Sequence, residues 1–164
     1  MSRAFVNEDS AAAQSSQPVE RRVSDQPNRV TRQGLALLQA KVAQLQAEYS
    51  AQQALGEGAD KQRQADLERD LRYFNQRVST AQLVPPARST TQVSIGSRVT
   101  FADEQGEQQH VQLVGEDQAD AARGLINWGS PLGRVLLGAA PGDEVVWRRP
   151  AGDLVIEVVA IEPE

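Results

Sequence analysis

Thr31-Arg-Gln-Gly-Leu-Ala-Leu-Leu-Gln-Ala-Lys-Val-Ala-Gln-Leu-Gln-Ala-Glu-Tyr49 decides how this chain folds. Leu35, Leu38, Val42, Leu45 and Tyr49 recur within it at steps of three, four, three and four. That spacing is a heptad seam, one apolar stripe along an amphipathic helix. Between the seam positions stand Gln, Ala, Lys and Glu, which favour helix. Thr31 stands where its hydroxyl can cap the first turn.

Outward from this stretch, Gly56 and Gly58 break the helix. A second seam comes next, through Leu67, Leu71, Phe74, Val78 and Ala81, and Pro85-Pro86 ends it. Two seams joined by a short glycine turn predict an antiparallel hairpin over 31–84, with helices at about 31–55 and 61–83. Leu38, Val42 and Leu45 should face Leu67, Leu71 and Phe74. The first arm, about 24 residues, would reach ~36 Å at 1.5 Å per residue. Such a rod buries little surface and serves to reach or to dimerise. Because the two seams match each other, a monomer is expected.

The flanks read differently. Residues 1–30 are small and polar around Ala11-Ala-Ala-Gln-Ser-Ser-Gln-Pro18 and are expected as an unstructured tail, with Phe5 and Val6 the only candidates for docking. Residues 85–96 read as a Pro/Ser/Thr-rich linker. From 97 to 164 the period shifts towards two. Val99 and Phe101, then Val111 and Leu113, flank the turn Asp103-Glu-Gln-Gly106 as a hairpin. Ser130-Pro131 opens a short helix that Gly138 stops. Pro141-Gly-Asp143 and Pro150-Ala-Gly-Asp153 turn into strands through Val145 and Trp147 and from Leu154 to Ile161. The class is therefore α+β: a helical hairpin, then a small antiparallel sheet with one short helix.

Composition excludes most chemistry. There is no cysteine and one histidine. Disulfides are impossible, zinc and copper sites are not expected, and no phosphate loop or nucleophile elbow is present. His110 reads as a half-exposed strand residue. Carboxylates are the remaining reactive groups, and Glu57 and Asp60 lie at the hairpin tip. They can favour a divalent ion supplied by a partner, or the N-terminal end of the second helix. No apolar run suits a membrane, the first residues lack a secretory apolar stretch, and a cytoplasmic protein is expected. Residues 85–164 hold 12 acidic and 6 basic side chains. That balance argues against direct duplex DNA binding.

Three stretches carry a resemblance. Val114-Gly-Glu-Asp-Gln-Ala-Asp120, Gly124-Leu-Ile-Asn-Trp-Gly-Ser-Pro-Leu-Gly-Arg-Val-Leu-Leu-Gly138 and Pro141-Gly-Asp-Glu-Val-Val146 resemble the bacterial Gre (GreA/GreB) transcription elongation factors. Val30-Thr-Arg-Gln-Gly-Leu35 is similar to the opening of that family's coiled coil, and Ser2-Arg-Ala-Phe-Val6 to the start of some members. The resemblance implies an N-terminal antiparallel coiled coil and a C-terminal domain of FK506-binding-protein shape, with no isomerase activity implied. It implies docking on core RNA polymerase beside the secondary channel, with nucleic acid met only through the transcription complex. The docking loop maps to Gly129, Ser130 and Pro131, where many members carry an acidic residue at the position of Gly129.

The tip departs from the family. Where members read Gly-Asp-x-x-Glu-Asn, this chain reads Gly58-Ala-Asp-Lys-Gln-Arg63, so the acidic pair is missing and Lys61 and Arg63 add positive charge. Both arms are shorter by roughly a heptad, ~10 Å of reach. The expectation is a polymerase-binding regulator of elongation with weak or absent cleavage stimulation, no enzyme in its own right, and no cofactor or metal of its own. The alternatives are a genuine cleavage factor using Glu57 and Asp60, and a peptide-binding module.

Overall fold

A computed structural model describes residues 18–164. The expectations for Phe5, Val6 and the rest of 1–17 lie outside the described residues. The chain divides into two compact units, one comprising residues up to 25 and 39–79, the other 26–38 and 80–164.

The first unit is the hairpin. Helix α1 spans Arg32–Ala54, its opening residues to Leu38 counting with the second unit, and α2 spans Lys61–Thr80. Leu45 and Leu67 are buried, while Val42, Tyr49, Leu71 and Phe74 are half-buried. The cross-links give the direction. Lys41 lies over the Phe74 ring at 5.9 Å, Tyr49 Oη donates to Glu68 at 2.8 Å, and Arg63 pairs with Glu48 at 2.7 Å. Partners descend on α2 as they ascend on α1, so the helices are antiparallel. The segment expected as a tail is in part attached. Arg21 stacks on Tyr73 at 4.1 Å and pairs with Asp70 at 3.5 Å, and Glu20 bonds Arg72. That Arg72 bond holds the Glu20 carboxyl below its ordinary value.

Each unit has an element that periodicity alone missed. In the hairpin it is Arg77, buried at 2% exposure beside the half-buried seam residue Val78. In the second unit it is a two-stranded parallel ribbon. Strand β1, Arg29–Val30, pairs with β2, Gln82–Leu83, so α2 stops before the expected 83. Gln82 N–H donates to Asn28 O at 2.8 Å and Val84 N–H to Val30 O at 2.9 Å. Those bonds satisfy the backbone that a longer helix would have paired internally.

The rest of the second unit is a five-stranded sheet. Its strands are β3 (Arg98–Ala102), β4 (Gln108–Val114), β5 (Leu125–Asn127), β6 (Glu144–Trp147) and β7 (Leu154–Glu162), in the order β5-β4-β3-β7-β6. It is mixed rather than wholly antiparallel, because β5, not foreseen in the sequence, runs parallel to β4. Helix α3, Pro131–Leu136, packs on the core face through Leu132 and Leu136. Val99, Phe101, Val111, Leu113, Ile156 and Val158 alternate inward, as period two requires. A register shift at Thr100/Phe101 leaves Val159 as an extra, exposed residue of β7 and returns Ile161 to the core. His110 is exposed on β4 and bonds Thr100 Oγ1 at 2.8 Å. Residues 85–96 are not a free linker. Val93 and Ile95 are buried, Val93 N–H donates to Ala139 O at 2.8 Å, and Glu164 N–H donates to Ala87 O at 2.8 Å. Among the described residues no helix is long and apolar enough to cross a membrane.

Thr31, 1% exposed, joins the start of α1 to this domain. Its Oγ1 accepts the Gly34 N–H at 3.0 Å, the cap that the sequence foretold, and donates to Gln118 Oε1 at 2.7 Å. Thr31→Val removes a cap (about 0.5–2 kcal/mol) and strands a buried acceptor (about 1–3 kcal/mol). We expect Thr31→Val to lower unfolding free energy in urea by about 2–3 kcal/mol and Thr31→Ser to keep most of it; equal stabilities would refute this joint.

The Tyr49 bond to Glu68 yields a second test. That bond, then desolvation and the carboxylate charge, raise the phenol above its ordinary value. The folded value exceeds the unfolded one, so the stabilisation is complete below the ordinary phenol value and is lost as pH rises through the folded value. Absorbance titration should show one tyrosine midpoint moving down in Glu68→Ala; an unmoved midpoint counts against the bond.

Candidate functional site

The hairpin tip is a single 3-10 turn, Gly56–Gly58, followed by Ala59 and Asp60. Glu57 is exposed on that turn and makes no hydrogen bond or ion pair among the described residues. Asp60 is different. Its Oδ1 accepts the Arg63 N–H at 3.0 Å, and its own N–H donates to Gln52 Oε1 at 3.0 Å. Lys61 is the first residue of α2, so Asp60 is its N-cap, placed where the helix leaves N–H groups unpaired. Arg63 turns back to Glu48 rather than adding free charge to the tip, as the sequence had suggested. Glu57 and Asp60 thus share one short loop in different roles, one uncommitted and one structural.

The loop before α3 belongs to the second unit and is built around Asn127. The Gly129 N–H donates to Asn127 Oδ1 at 2.9 Å. Ser130 N–H and Oγ both donate to Asn127 O, at 2.9 and 2.7 Å. Ser130 Oγ then accepts the Gly133 N–H at 3.2 Å, which makes it the N-cap, with Pro131 opening the helix. A Cβ on Gly133 would stand 2.3 Å from Asn127 O, so only glycine lets the helix close this tightly on the loop. Gly129, Ser130 and Pro131 are therefore adjacent on one ordered turn. Gly129 and Ser130 are half-buried and Pro131 is exposed. Pro131 and Leu132 also line a hollow of ≈ 600 Å³ with Val111, Ile126 and Trp147.

Sequence reasoning missed the groups that brace this turn. Gln26 Nε2 donates to Asn127 Oδ1 at 2.9 Å, and Asn127 Nδ2 donates to Gln26 Oε1 at 3.2 Å. Arg29 lies over the Trp128 ring, 5.2 Å from its centroid. Asn two residues before Gly was a legible signal for a side-chain-closed turn. Nothing local marks Gln26, which is 101 residues away in sequence.

A helical hairpin with a small polar tip, joined to a mixed sheet that presents a capped Asn-Trp-Gly-Ser-Pro turn, defines an α+β protein. The family model described as "Transcription elongation factor, GreA/GreB, C-term" matches residues 88–163. Transcription elongation factor GreB of Neisseria meningitidis serogroup B is 38% identical over 104 residues, covering 62% of this chain and 64% of that protein. GreA of Cereibacter sphaeroides is 34% identical over 104 residues, covering 63% of this chain and 69% of the relative. Among solved structures, GreA factor homolog 1 of Thermus thermophilus is similar at 26% identity over 82% of this chain and 97% of its own, with a TM-score of 0.41. The chain belongs to the Gre transcription elongation factor family. It spans slightly under two thirds of the length of the Neisseria GreB, 64%.

The capping geometry makes a prediction independent of any partner. Asp60→Asn keeps an acceptor for the Arg63 N–H and should leave thermal unfolding nearly unchanged. Asp60→Ala should cost about 0.5–2 kcal/mol. If both variants unfold together with the parent, Asp60 is not a cap of consequence.

Proposed function

We propose that this chain binds core RNA polymerase as a monomer and regulates elongation from the secondary channel, with weak or absent stimulation of transcript cleavage. Family membership supports the partner, and nucleic acid is met only within the transcription complex. The observation that carries the cleavage half is the commitment of Asp60 to capping α2. Assisting a metal requires carboxylate oxygens within about 2–2.6 Å of a hard cation. The tip offers one uncommitted carboxylate, Glu57, on arms ~10 Å shorter than the family resemblance implies. With Oδ1 held by the Arg63 N–H, Asp60 has only Oδ2 to offer a metal, in the direction that the cap fixes. Occupation of the channel then acts by obstruction or by competition with other channel-binding factors. The chain is thus not an enzyme in its own right.

A second reading is favoured by the hollow beside Pro131. Trp147, Ile126, Val111 and Leu132 give it apolar walls suited to an apolar peptide side chain. Quenching of tryptophan fluorescence by short proline-containing peptides, lost in Trp147→Ala, would favour that reading over polymerase docking.

The deciding experiment adds the full chain to a stalled, backtracked polymerase complex. We expect binding and competition with a cleavage-competent Gre factor, and transcript cleavage at background. The control is Glu57→Gln with Asp60→Asn, which removes both charges and keeps the cap. Robust cleavage by the parent that vanishes in this double variant makes the protein an orthodox cleavage factor.

A further inference from the structure

Gln26 lies outside the region that the family model matches, yet it is built into the turn that the docking reading uses. The turn is held by the Asn127 side chain, whose Oδ1 must face the Gly129 N–H to accept it at 2.9 Å. That fixes the orientation of the Asn127 amide, with Nδ2 on the opposite side. Gln26 reads both ends of it, donating to Oδ1 at 2.9 Å and accepting from Nδ2 at 3.2 Å. A flipped Asn127 would turn its Nδ2 donor on the Gly129 N–H. The Gly129 N–H selects the amide orientation, and the reciprocal pair holds the Asn127 side chain in the place that closes the turn.

Space at Gly129 makes the same point. A Cβ there would stand 2.0 Å from Gln26 Oε1 and 2.5 Å from its Cδ, and the three nearest atoms all belong to Gln26. The φ of Gly129 is not positive, so alanine suits the backbone and Gln26 is the side chain it would displace first. Residues 29–31 anchor the Gln26 backbone from its C-terminal side. Arg29 and Val30 pair with Gln82 and Leu83, Arg29 stacks on Trp128, and Thr31 bonds Gln118.

We infer that Gln26 is a positioning residue for polymerase docking: the segment Gln26–Thr31 straps the Asn127–Pro131 turn and pre-orders it for the partner. This deepens the docking reading and rests on it. A turn ordered in advance loses less freedom on binding, and the gain is read in affinity.

Three variants of the full chain remove the pair by different routes. Gln26→Ala deletes the amide. Gln26→Glu keeps its shape but cannot donate to Asn127 Oδ1. Gly129→Ala expels an intact Gln26. Hydrogen exchange at the Gly129 amide and affinity for bacterial core RNA polymerase are measured for each, and for Gln26→Ala with Gly129→Ala. Exchange should accelerate in all of them, and affinity should fall about 3- to 10-fold. The double variant should be no worse than either single, because both remove one interaction. Unchanged exchange overturns the positioning role whatever the polymerase does. Faster exchange at unchanged affinity overturns it too, since order in the turn then does nothing for docking, as does a full-strength Gln26→Glu, which reduces the contact to packing. Failure of the parent chain itself to bind polymerase is a separate result: it sinks the docking reading, and the docking half of this inference with it, while exchange still reports on the strap.

Discussion

One buried hydroxyl ties the beginning of the long helix to the sheet domain. Thr31 sits at 1% exposure, where an unpaired polar atom is costly, and both capacities of its Oγ1 are used. It accepts from the first turn of α1 and donates to Gln118, itself buried on the turn after β4. An Ncap residue has extended backbone, so the chain before Thr31 arrives as a strand rather than as helix. That strand is β1, and its pairing with β2 fixes where α2 must end. The start of one helix, the end of the other and the path of the strap all depend on the same atom.

The turn before α3 applies the same economy of donors and acceptors at a second place. Asn127 uses its backbone carbonyl for Ser130 and its side chain for Gly129 and Gln26. Ser130 then passes its own oxygen to Gly133. Every bond in the series lies within one short turn except the two to Gln26. A local series sets the shape of the turn, and the non-local bonds to Gln26 bear on how firmly that shape is held. Affinity for a partner depends on the second quantity as much as on the first.

The parts of the fold that were legible in the sequence are those governed by period or by local chemistry. The heptad steps from Leu35 to Tyr49 and from Leu67 to Val78 gave the helices, and alternation at Val99, Phe101, Val111 and Leu113 gave two strands. Ser130-Pro131 and Thr31 were readable as caps because a cap is a local event. Strands β1 and β2 have two residues each, too few for any period to register. β5 has three and is half-buried throughout, so its sequence lacks alternation. Residues 85–96 read as a linker from their Pro, Ser and Thr content. Val93 and Ile95 are nevertheless core, and a backbone bond from Val93 to Ala139, which no composition reports, holds the segment there. At the candidate sites, Gly129, Ser130 and Pro131 were found from a motif, whereas Gln26 answers to a contact across 101 residues.

The tip shows why a carboxylate count is a poor guide to chemistry. Glu57 and Asp60 are three residues apart and both surround the same turn, yet the backbone asks different things of them. A helix beginning at Lys61 needs an acceptor one residue earlier, and Asp60 supplies it. A carboxylate so engaged meets a cation with its second oxygen only, and the cap fixes the direction in which that oxygen faces. Glu57 stands before the cap, on the far side of Gly58 and Ala59, and owes nothing to the helix. Nor is the tip as basic as it reads, because Arg63 is drawn back to Glu48 at 2.7 Å. What remains at the end of the hairpin is Glu57 and the capping Asp60 against Lys61, one negative charge in excess. On the proposed reading the short arms and the single uncommitted carboxylate act in the same direction, since reach delivers a ligand and charge retains the ion. Lengthening the arms alone would deliver the wrong side chains, and restoring the acids alone would leave them out of reach.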